Sequence, residues 1–214
     1  MFKHIRGLDH VVILVRDLDR ARDSYQRLGF TLTPRGYHSL GSQNHCMMFG
    51  SDYLELMALP AAAPPALQYF ADFLSRGEGV GALALATDDA SAAHAELTKA
   101  GIAAEAPLAL SRPVEKLGEA RFTLVQLPSQ LTPGFRSFLC QHHTRDLVWR
   151  PEYQRHANGA LGIDAISIAV PDPAGYAPLL DGLAVKYSSA AEPRITAIRL
   201  RAAGNSQGIE LKFA

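Results

Sequence analysis

The chain has 214 residues, a length that suits one compact unit or two closely packed halves. Hydrophobic residues make up 48% and charged residues 20% of the sequence, which excludes an intrinsically disordered chain and predicts a full core. Because 21 basic residues balance 21 acidic ones, no net charge draws the protein to nucleic acid or to an anionic membrane. A small-molecule ligand is therefore the expected partner.

The cysteines and the first apolar run predict a cytoplasmic protein. Cys46 and Cys140 lie in strand-like segments without the spacing of a zinc ribbon or a disulfide framework, so both are expected to be buried thiols. The apolar run at 11–15 is followed at once by Arg16 and Asp17, and it is too short for a secretory or membrane-spanning segment.

Residues 1–59 predict a unit of one strand, one helix and three further strands. The apolar pattern before Asp17 indicates a buried strand, and Asp17 itself is suited to cap a helix N-terminus. The helix is expected to end at Leu28, because Gly29 can adopt the left-handed conformation that closes a helix. Strand-like segments follow at 30–33, 44–49 and 53–59, the last two joined by a hairpin turn at Ser51 and Asp52.

Two further copies of this unit are predicted. One constant shift carries Asp9, Asp17 and Glu55 onto Asp164, Asp172 and Glu210, which predicts a copy at 161–214. A weaker copy is predicted at 79–143, with its third and fourth strands at 120–127 and 137–141. Residues 60–78 and 144–160 are the expected linkers.

The motifs GLDHVVILVRDLDRARDSYQRLGF and YLELM resemble the opening module of the vicinal-oxygen-chelate superfamily, which includes glyoxalases, bleomycin-resistance proteins and ring-cleaving dioxygenases. The later QHH and HANG motifs resemble its glyoxalase-like branch. This resemblance implies an α+β fold in which βαβββ modules pair into an incompletely closed β-barrel, here with a third repeat at the C-terminus. It also implies one site, commonly holding a divalent metal through residues of the first and fourth strands.

Carried onto this sequence, the resemblance implies His10 and Glu55 as metal ligands in the first module. Gln141 is the best match on the fourth strand of the second module. The first-strand positions of the other modules hold Ala82 and Ala165, which cannot bind a metal, so the usual four-ligand set is incomplete. Zn²⁺, Mn²⁺, Fe²⁺ or Ni²⁺ would suit an imidazole and a carboxylate.

Each candidate ligand also has a structural interpretation. His10 and Glu55 could instead form a hydrogen-bonded interior pair, and Gln141 could be a hydrogen-bonding residue at the barrel rim. His143 is expected on the same strand face as Gln141, as a ligand or a substrate contact, with His142 on the opposite face. Glu210 is adequately explained as a remnant of the repeat.

Substrate contacts are expected from the loop around Gly41 and from the neighbouring strands. Asn44 and His45 could line the mouth of the barrel, whereas His38 and Arg35 are expected to be turn residues. Phe49 and Met57 are expected to reach the cavity. His156 is expected in a plain turn, where the Asn-Gly pair that follows it sets a left-handed backbone.

Two functions are compatible with these features. The first is a metal-assisted lyase, isomerase or dioxygenase that acts on a small oxygenated molecule, with Glu55 moving the proton. The second is a metal-free protein that binds or sequesters a small molecule, which the alanines at 82 and 165 favour. A homodimer is expected in either case, because a third module would leave an open sheet edge or apolar face.

Overall fold

A computed structural model describes residues 2–173, 180 and 183–213. Within these residues no helix is both long and apolar enough to cross a membrane. The helices are α1 (Leu18–Arg27), α2 (Gln68–Arg76) and α3 (Ala90–Lys99). The strands are β1 (Ile5–Leu14), β2 (Gly36–Tyr37), β3 (Gln43–Met48), β4 (Tyr53–Ala58), β5 (Gly79–Thr87), β6 (Leu108–Val114), β7 (Gly118–Gln126), β8 (Arg136–His142), β9 (Ala160–Val170), β10 (Val185–Ser189), β11 (Arg194–Ala202) and β12 (Asn205–Lys212).

The first helix has the ends that the sequence predicts. Asp17 has an extended backbone, and its side chain accepts a hydrogen bond from the backbone N–H of Arg20 at 2.9 Å. Gly29 follows the last turn with a φ of +86°, in the left-handed region. Asp89 caps α3 in the same way, with its side chain accepting from the N–H of Ala92.

Eight strands form a nearly closed barrel in the order β2-β3-β4-β1-β5-β8-β7-β6. Within each module the first strand pairs in parallel with the fourth, as β1 does with β4 and β5 with β8. The two modules are joined by antiparallel pairing between β1 and β5. One seam stays unsealed between β2 and β6, although Ser39 N–H donates to the carbonyl of Ser111 across it at 2.8 Å. The predicted α+β fold with paired βαβββ modules is confirmed.

Strand alternation gives the barrel wall two faces. On β1, Val12 points into the barrel beside His10, whereas Val11 and Ile13 point outward into the core that α1 and α3 cover. Any functional side chain must therefore lie on the inward set of positions, and a one-residue error in register would place it in the outer core.

The C-terminal unit forms a second sheet in the order β10-β9-β11-β12. Its first strand, β9, lies parallel to its second strand, β10, whereas in the barrel modules the first strand pairs with the fourth. The four strands thus follow the predicted succession along the chain but are arranged differently. The helix expected after Asp172 falls mainly on 174–179, outside the described residues.

This second sheet packs on the outer face of the barrel within the same chain. Ile166, Ile168 and Ile198 share one buried cluster with barrel residues of the outer face. Asp52 of the β3–β4 turn accepts a hydrogen bond from Ile163 N–H at 2.9 Å. The apolar face that suggested a homodimer is therefore covered, although β10 and β12 remain edge strands of the described part of this sheet.

Two local predictions need correction. The second strand lies at Gly36–Tyr37 rather than at 30–33, where the chain instead runs beside β3 through hydrogen bonds between Thr33 and Cys46. The linker at 60–78 contains α2, which the Pro and Ala run of the linker obscured. Its Tyr69 and Phe70 cover one side of the barrel interior.

Candidate functional site

A cavity of about 310 Å³ lies inside the barrel, and polar groups converge on it from a mainly apolar wall. Both modules line it, and the linker helix α2 closes part of its wall. Its polar lining residues are His10, His38, Ser42, Asn44, Tyr53, Glu55, Glu105, Arg112, Gln126 and Arg136. Most of the remaining wall is apolar, with Met57, Leu110, Phe122, Leu124 and Phe138 among its residues.

A buried carboxylate orients the histidine of β1. His10 Nδ1 lies 2.6 Å from Asp9 Oδ2, and the same oxygen lies 3.0 Å from His142 Nε2. Donation from Nδ1 to Asp9 leaves the lone pair of His10 Nε2 facing the cavity. Tyr53 stacks on the His10 ring with centroids 4.4 Å apart, which fixes the plane of the imidazole.

Glu55 lies at the centre of the polar groups. Its Oε1 accepts a hydrogen bond from Asn44 Nδ2 at 2.6 Å, and its Oε2 lies 3.5 Å from His10 Nε2. His38 Nε2 is 3.8 Å from Oε1, and His38 Nδ1 pairs with the Ser42 hydroxyl at 2.9 Å. The Glu55 side chain is only 8% exposed, so its carboxylate faces the cavity rather than bulk water.

Burial and neighbouring charges shift several pKa values here. Burial acts to raise the pKa of Asp9, but hydrogen bonds from His10 and His142 and their charges hold it below its usual range. Burial lowers the pKa of His38 against the opposing charge of Glu55, and the positive charge of Arg112 lowers it further. Burial raises the pKa of the Cys46 thiol to about 12, so this thiol is a packing group rather than a nucleophile.

The chemistry of the donor set fits a divalent metal in the first module. His10 Nε2 and a Glu55 oxygen converge at a separation compatible with two ligands of one ion, and Asp9 provides the carboxylate that commonly supports a ligating imidazole. A second group, Asp9, Cys140 and His142, also has its donor atoms within 4.8 Å of one another. In that group Asp9 already bridges two histidines, and burial raises the pKa of Cys140 well above its usual value, which disfavours the thiolate a metal needs.

The structure brings four of the predicted site residues together in the cavity: His10, Asn44, Glu55 and Met57. It does not bring Gln141 there, because this side chain points outward and bonds Ala90 N–H and the carbonyl of Asp88. His143 shares the outward face as expected and pairs with the Thr123 hydroxyl. Both side chains therefore lie outside the cavity.

His45 and Phe49 also lie outside the cavity. His45 faces outward from β3, where its Nδ1 lies 2.8 Å from the carbonyl of Thr33. Phe49 is fully buried in the outer core, with its ring 5.1 Å from that of His156. His156 is more than a turn residue, since it joins the second linker to the first module through Thr31 N–H and the Met48 carbonyl. Arg35 lies outside the cavity, paired with Asp19 and Gln43.

Four residues in or beside the cavity were not predicted as site residues: Asp9, Arg112, His142, and His38, which was expected in a turn. Strand alternation places His142 on the same face of β8 as Phe138 and Cys140, and the structure shows that this face points inward. No comparable signal marks His38, whose position depends on the loop before β3. Arg112 lies on an edge strand, and only the closing of the barrel brings it to the cavity.

Residues 8–184 match the family described as Glyoxalase-like domain. The chain therefore belongs to this family and to the vicinal-oxygen-chelate superfamily, as its opening motifs predict. No curated protein sequence matches the chain significantly.

Solved structures share the fold. The chain is similar to a hypothetical protein from Staphylococcus aureus, with a TM-score of 0.74 and 14% identity over 97% of this chain and 98% of that one. It is similar to methylmalonyl-CoA epimerase from Mycobacterium tuberculosis, with a TM-score of 0.52 and 24% identity over 66% of this chain and 91% of that one. It is also similar to a Streptomyces coelicolor methylmalonyl-CoA epimerase variant in complex with 2-nitronate-propionyl-CoA, with a TM-score of 0.51 and 21% identity over 65% of this chain and 99% of that one. At these identities the likenesses establish the fold alone.

Proposed function

We propose that this protein is an enzyme of the isomerase or lyase type that binds a small oxygenated molecule in the barrel cavity and moves a proton with Glu55. The observation that carries the proposal is the buried Glu55 carboxylate, which faces the Nε2 of an imidazole held in one orientation by Asp9. Such a pair of titratable groups in a mainly apolar cavity is typical of acid–base sites.

Asn44, Glu55 and the apolar wall of the cavity would have different roles in this reaction. Asn44 holds one oxygen of Glu55, so the second oxygen is directed toward His10 and the space between them. A C–H bond next to a carbonyl, placed in that space, would give its proton to Glu55. The apolar walls formed by Phe122 and Phe138 would exclude water from the resulting anion.

A divalent metal would be held by His10 and Glu55, with His38 as the nearest further donor. When bound, the ion would act as a Lewis acid on the ligand's oxygen atoms and would stabilise negative charge developing there. The family membership supports this proposal, since metal sites are common in the superfamily. His38 thus replaces Gln141 as the proposed third metal ligand.

The second candidate function is metal-free binding of a small molecule. It is favoured by the second module, whose inward residues Leu110, Leu124 and Phe138 provide an apolar wall without a metal ligand. A protein of this kind would hold its ligand by burial and would not transform it.

Two measurements test the proposal. Calorimetry with Mn²⁺, Zn²⁺ and Ni²⁺ on protein without an affinity tag should show binding that His10→Ala or Glu55→Gln weakens at least tenfold, about 1.4 kcal/mol. His143→Ala and Glu210→Gln are the matched controls, because these side chains lie outside the cavity. Deuterium exchange next to the carbonyl of small 2-oxo acids and of methylmalonyl-CoA, the substrate named for the epimerases of the same fold, should depend on Glu55.

The outcomes separate the two functions. Exchange that Glu55→Gln abolishes while ligand binding persists supports proton transfer. Ligand binding without exchange or metal affinity would instead establish the binding protein. Metal binding unchanged in both variants would show that the metal site does not lie on β1 and β4.

We also propose a homodimer, now on the open edges of the second sheet rather than on an uncovered apolar face. β12 is an edge strand with mostly exposed side chains, and such edges commonly pair with another copy. Light scattering should give about twice the chain mass of 23.1 kDa. A mass of one chain across micromolar concentrations would contradict the dimer.

A further inference from the structure

A buried arginine faces the cavity without a counter-charge. Arg112 on β6 is 8% exposed, yet its guanidinium makes no side-chain hydrogen bond or ion pair with any described residue. The other arginine of the cavity wall is paired, because Arg136 donates to Gln126 at 3.0 Å and to Glu105 at 2.5 Å. Burying an unpaired charge is costly, so the free protein retains Arg112 at a cost in stability.

The fold provides a passage for this side chain. Arg112 crosses the unsealed seam of the barrel over Gly36 of β2, where a Cβ would lie 3.0 Å from Arg112 Cδ and 3.4 Å from Nη1. The guanidinium therefore needs the space that glycine leaves. Its positive charge acts on His38 and Cys46, both of which line the same cavity as Glu55.

We propose that Arg112 binds the carboxylate of the protein's ligand, so that the substrate class is an organic acid with an apolar body. This proposal rests on the proposed function for the cavity but not on the proton transfer. A planar guanidinium and a carboxylate form two parallel charge-assisted hydrogen bonds, which would satisfy the donors that Arg112 leaves open.

The surroundings favour a carboxylate over a phosphate. One guanidinium balances the single charge of a carboxylate, whereas the second arginine that a phosphate dianion would need is already held by Glu105. Leu108 and Leu110, on the same strand as Arg112, and Leu124, on the adjoining strand β7, line the cavity and would contact the hydrocarbon part of the acid. The acid's carboxylate would then lie at the seam and its body would extend toward Glu55.

The test compares acids with matched neutral molecules at constant ionic strength. Formate, hexanoate and 4-phenylbutanoate should raise the thermal midpoint of the native protein, whereas hexanamide and 4-phenylbutanamide should not. Arg112→Met should weaken acid binding at least tenfold by calorimetry. Arg121→Met is the matched control, since it makes the same change on the outward, exposed face of the adjoining strand. Hexyl phosphate is compared with hexanoate to test whether the site prefers a phosphate to a carboxylate.

Two further measurements separate the role of Arg112 from protein stability and from the role of Glu55. Without ligand, Arg112→Met should unfold at the same or a higher temperature than the native protein, because an unpaired buried charge is removed. Glu55→Gln should still bind the acids while deuterium exchange is lost. Exchange that persists in Glu55→Gln, with acid binding retained, would overturn the proton transfer by Glu55 but not the binding of the carboxylate by Arg112.

Three results would each overturn the binding of the ligand's carboxylate by Arg112. These are equal acid binding by Arg112→Met and the native protein, no shift of the thermal midpoint with any acid, and amides that bind as well as the acids. Tighter binding of hexyl phosphate than of hexanoate would overturn the choice of carboxylate.

Discussion

Asp9 and His10, neighbours in sequence, are joined side chain to side chain inside the protein, with His10 Nδ1 2.6 Å from Asp9 Oδ2. Adjacent strand residues normally point to opposite faces, but β1 is irregular here, since its pairing with β5 shifts register between Leu8 and His10. The irregularity lets the carboxylate reach both His10 and, from the neighbouring module, His142.

Asp9→Asn should destabilise the protein by about 1–3 kcal/mol at neutral pH, because a neutral amide oxygen accepts hydrogen bonds from the two histidines more weakly than the carboxylate oxygen Oδ2 that both contact. Asp164→Asn is the matched control, since this aspartate pairs with Arg199 near the surface, and an effect of less than about 1 kcal/mol is expected. Urea unfolding measures both changes. Equal stabilities for the two variants would mean that the Asp9 bridge has no structural role.

Gly36→Ala should impair ligand binding more than any other single methyl addition at the site. The new Cβ would overlap Asn44 Oδ1 and crowd Arg112, so that both side chains must move. Gly50→Ala adds the same methyl where nothing lies within 4 Å. Calorimetry with hexanoate should show a loss of at least tenfold for the first variant and no change for the second, and unchanged affinity in Gly36→Ala would contradict the passage of Arg112 at the seam.

Gly134→Ala should weaken the packing of the second sheet on the barrel. The added Cβ would collide with the carbonyl of Pro193, and the residue also has a φ of +95°. Gly118→Ala carries comparable backbone strain, with a φ of +113°, but meets no atom within 4 Å. The difference in unfolding free energy between the two variants should be about 1–3 kcal/mol, and a difference near zero would show that the contact contributes nothing.

The contact of His156 with the first module should make stability depend on pH. Burial lowers the pKa of His156 below its ordinary value of 6.5, so the unfolded chain binds more protons than the folded one as the pH falls. The stabilisation is fully present above that ordinary value and is lost as the pH falls through the lowered pKa. Between about pH 7 and about pH 5, His156→Gln should lose less unfolding free energy than the native protein, whereas the exposed His143→Gln should follow the native curve.

The sequence by itself determined the local elements of the two barrel modules and the family. Asp17 and Gly29 predicted the ends of α1, because helix ends depend on neighbouring residues and are readable without knowledge of the rest of the chain. The resemblance of the opening motifs to the family implied that His10 and Glu55 share one site, and both line the cavity.

Only the tertiary structure decided which further residues reach the cavity. Gln141 and His142 are adjacent on β8, and the register of that strand sends the second inward and the first to the loop before α3. A two-residue periodicity predicts alternation but not which set faces inward, because that depends on the partner strand.

The same limit applies to the barrel seam and to the C-terminal unit. Arg112 and Gly36 meet because the edges of the barrel approach each other, a contact between segments far apart in the chain. The repeat of Asp9 and Glu55 at Asp164 and Glu210 predicted a third module, yet β11 lies between the strands that carry the latter pair. Pairing between distant strands is set by the packing of whole sheets, and no spacing of residues along the chain encodes it.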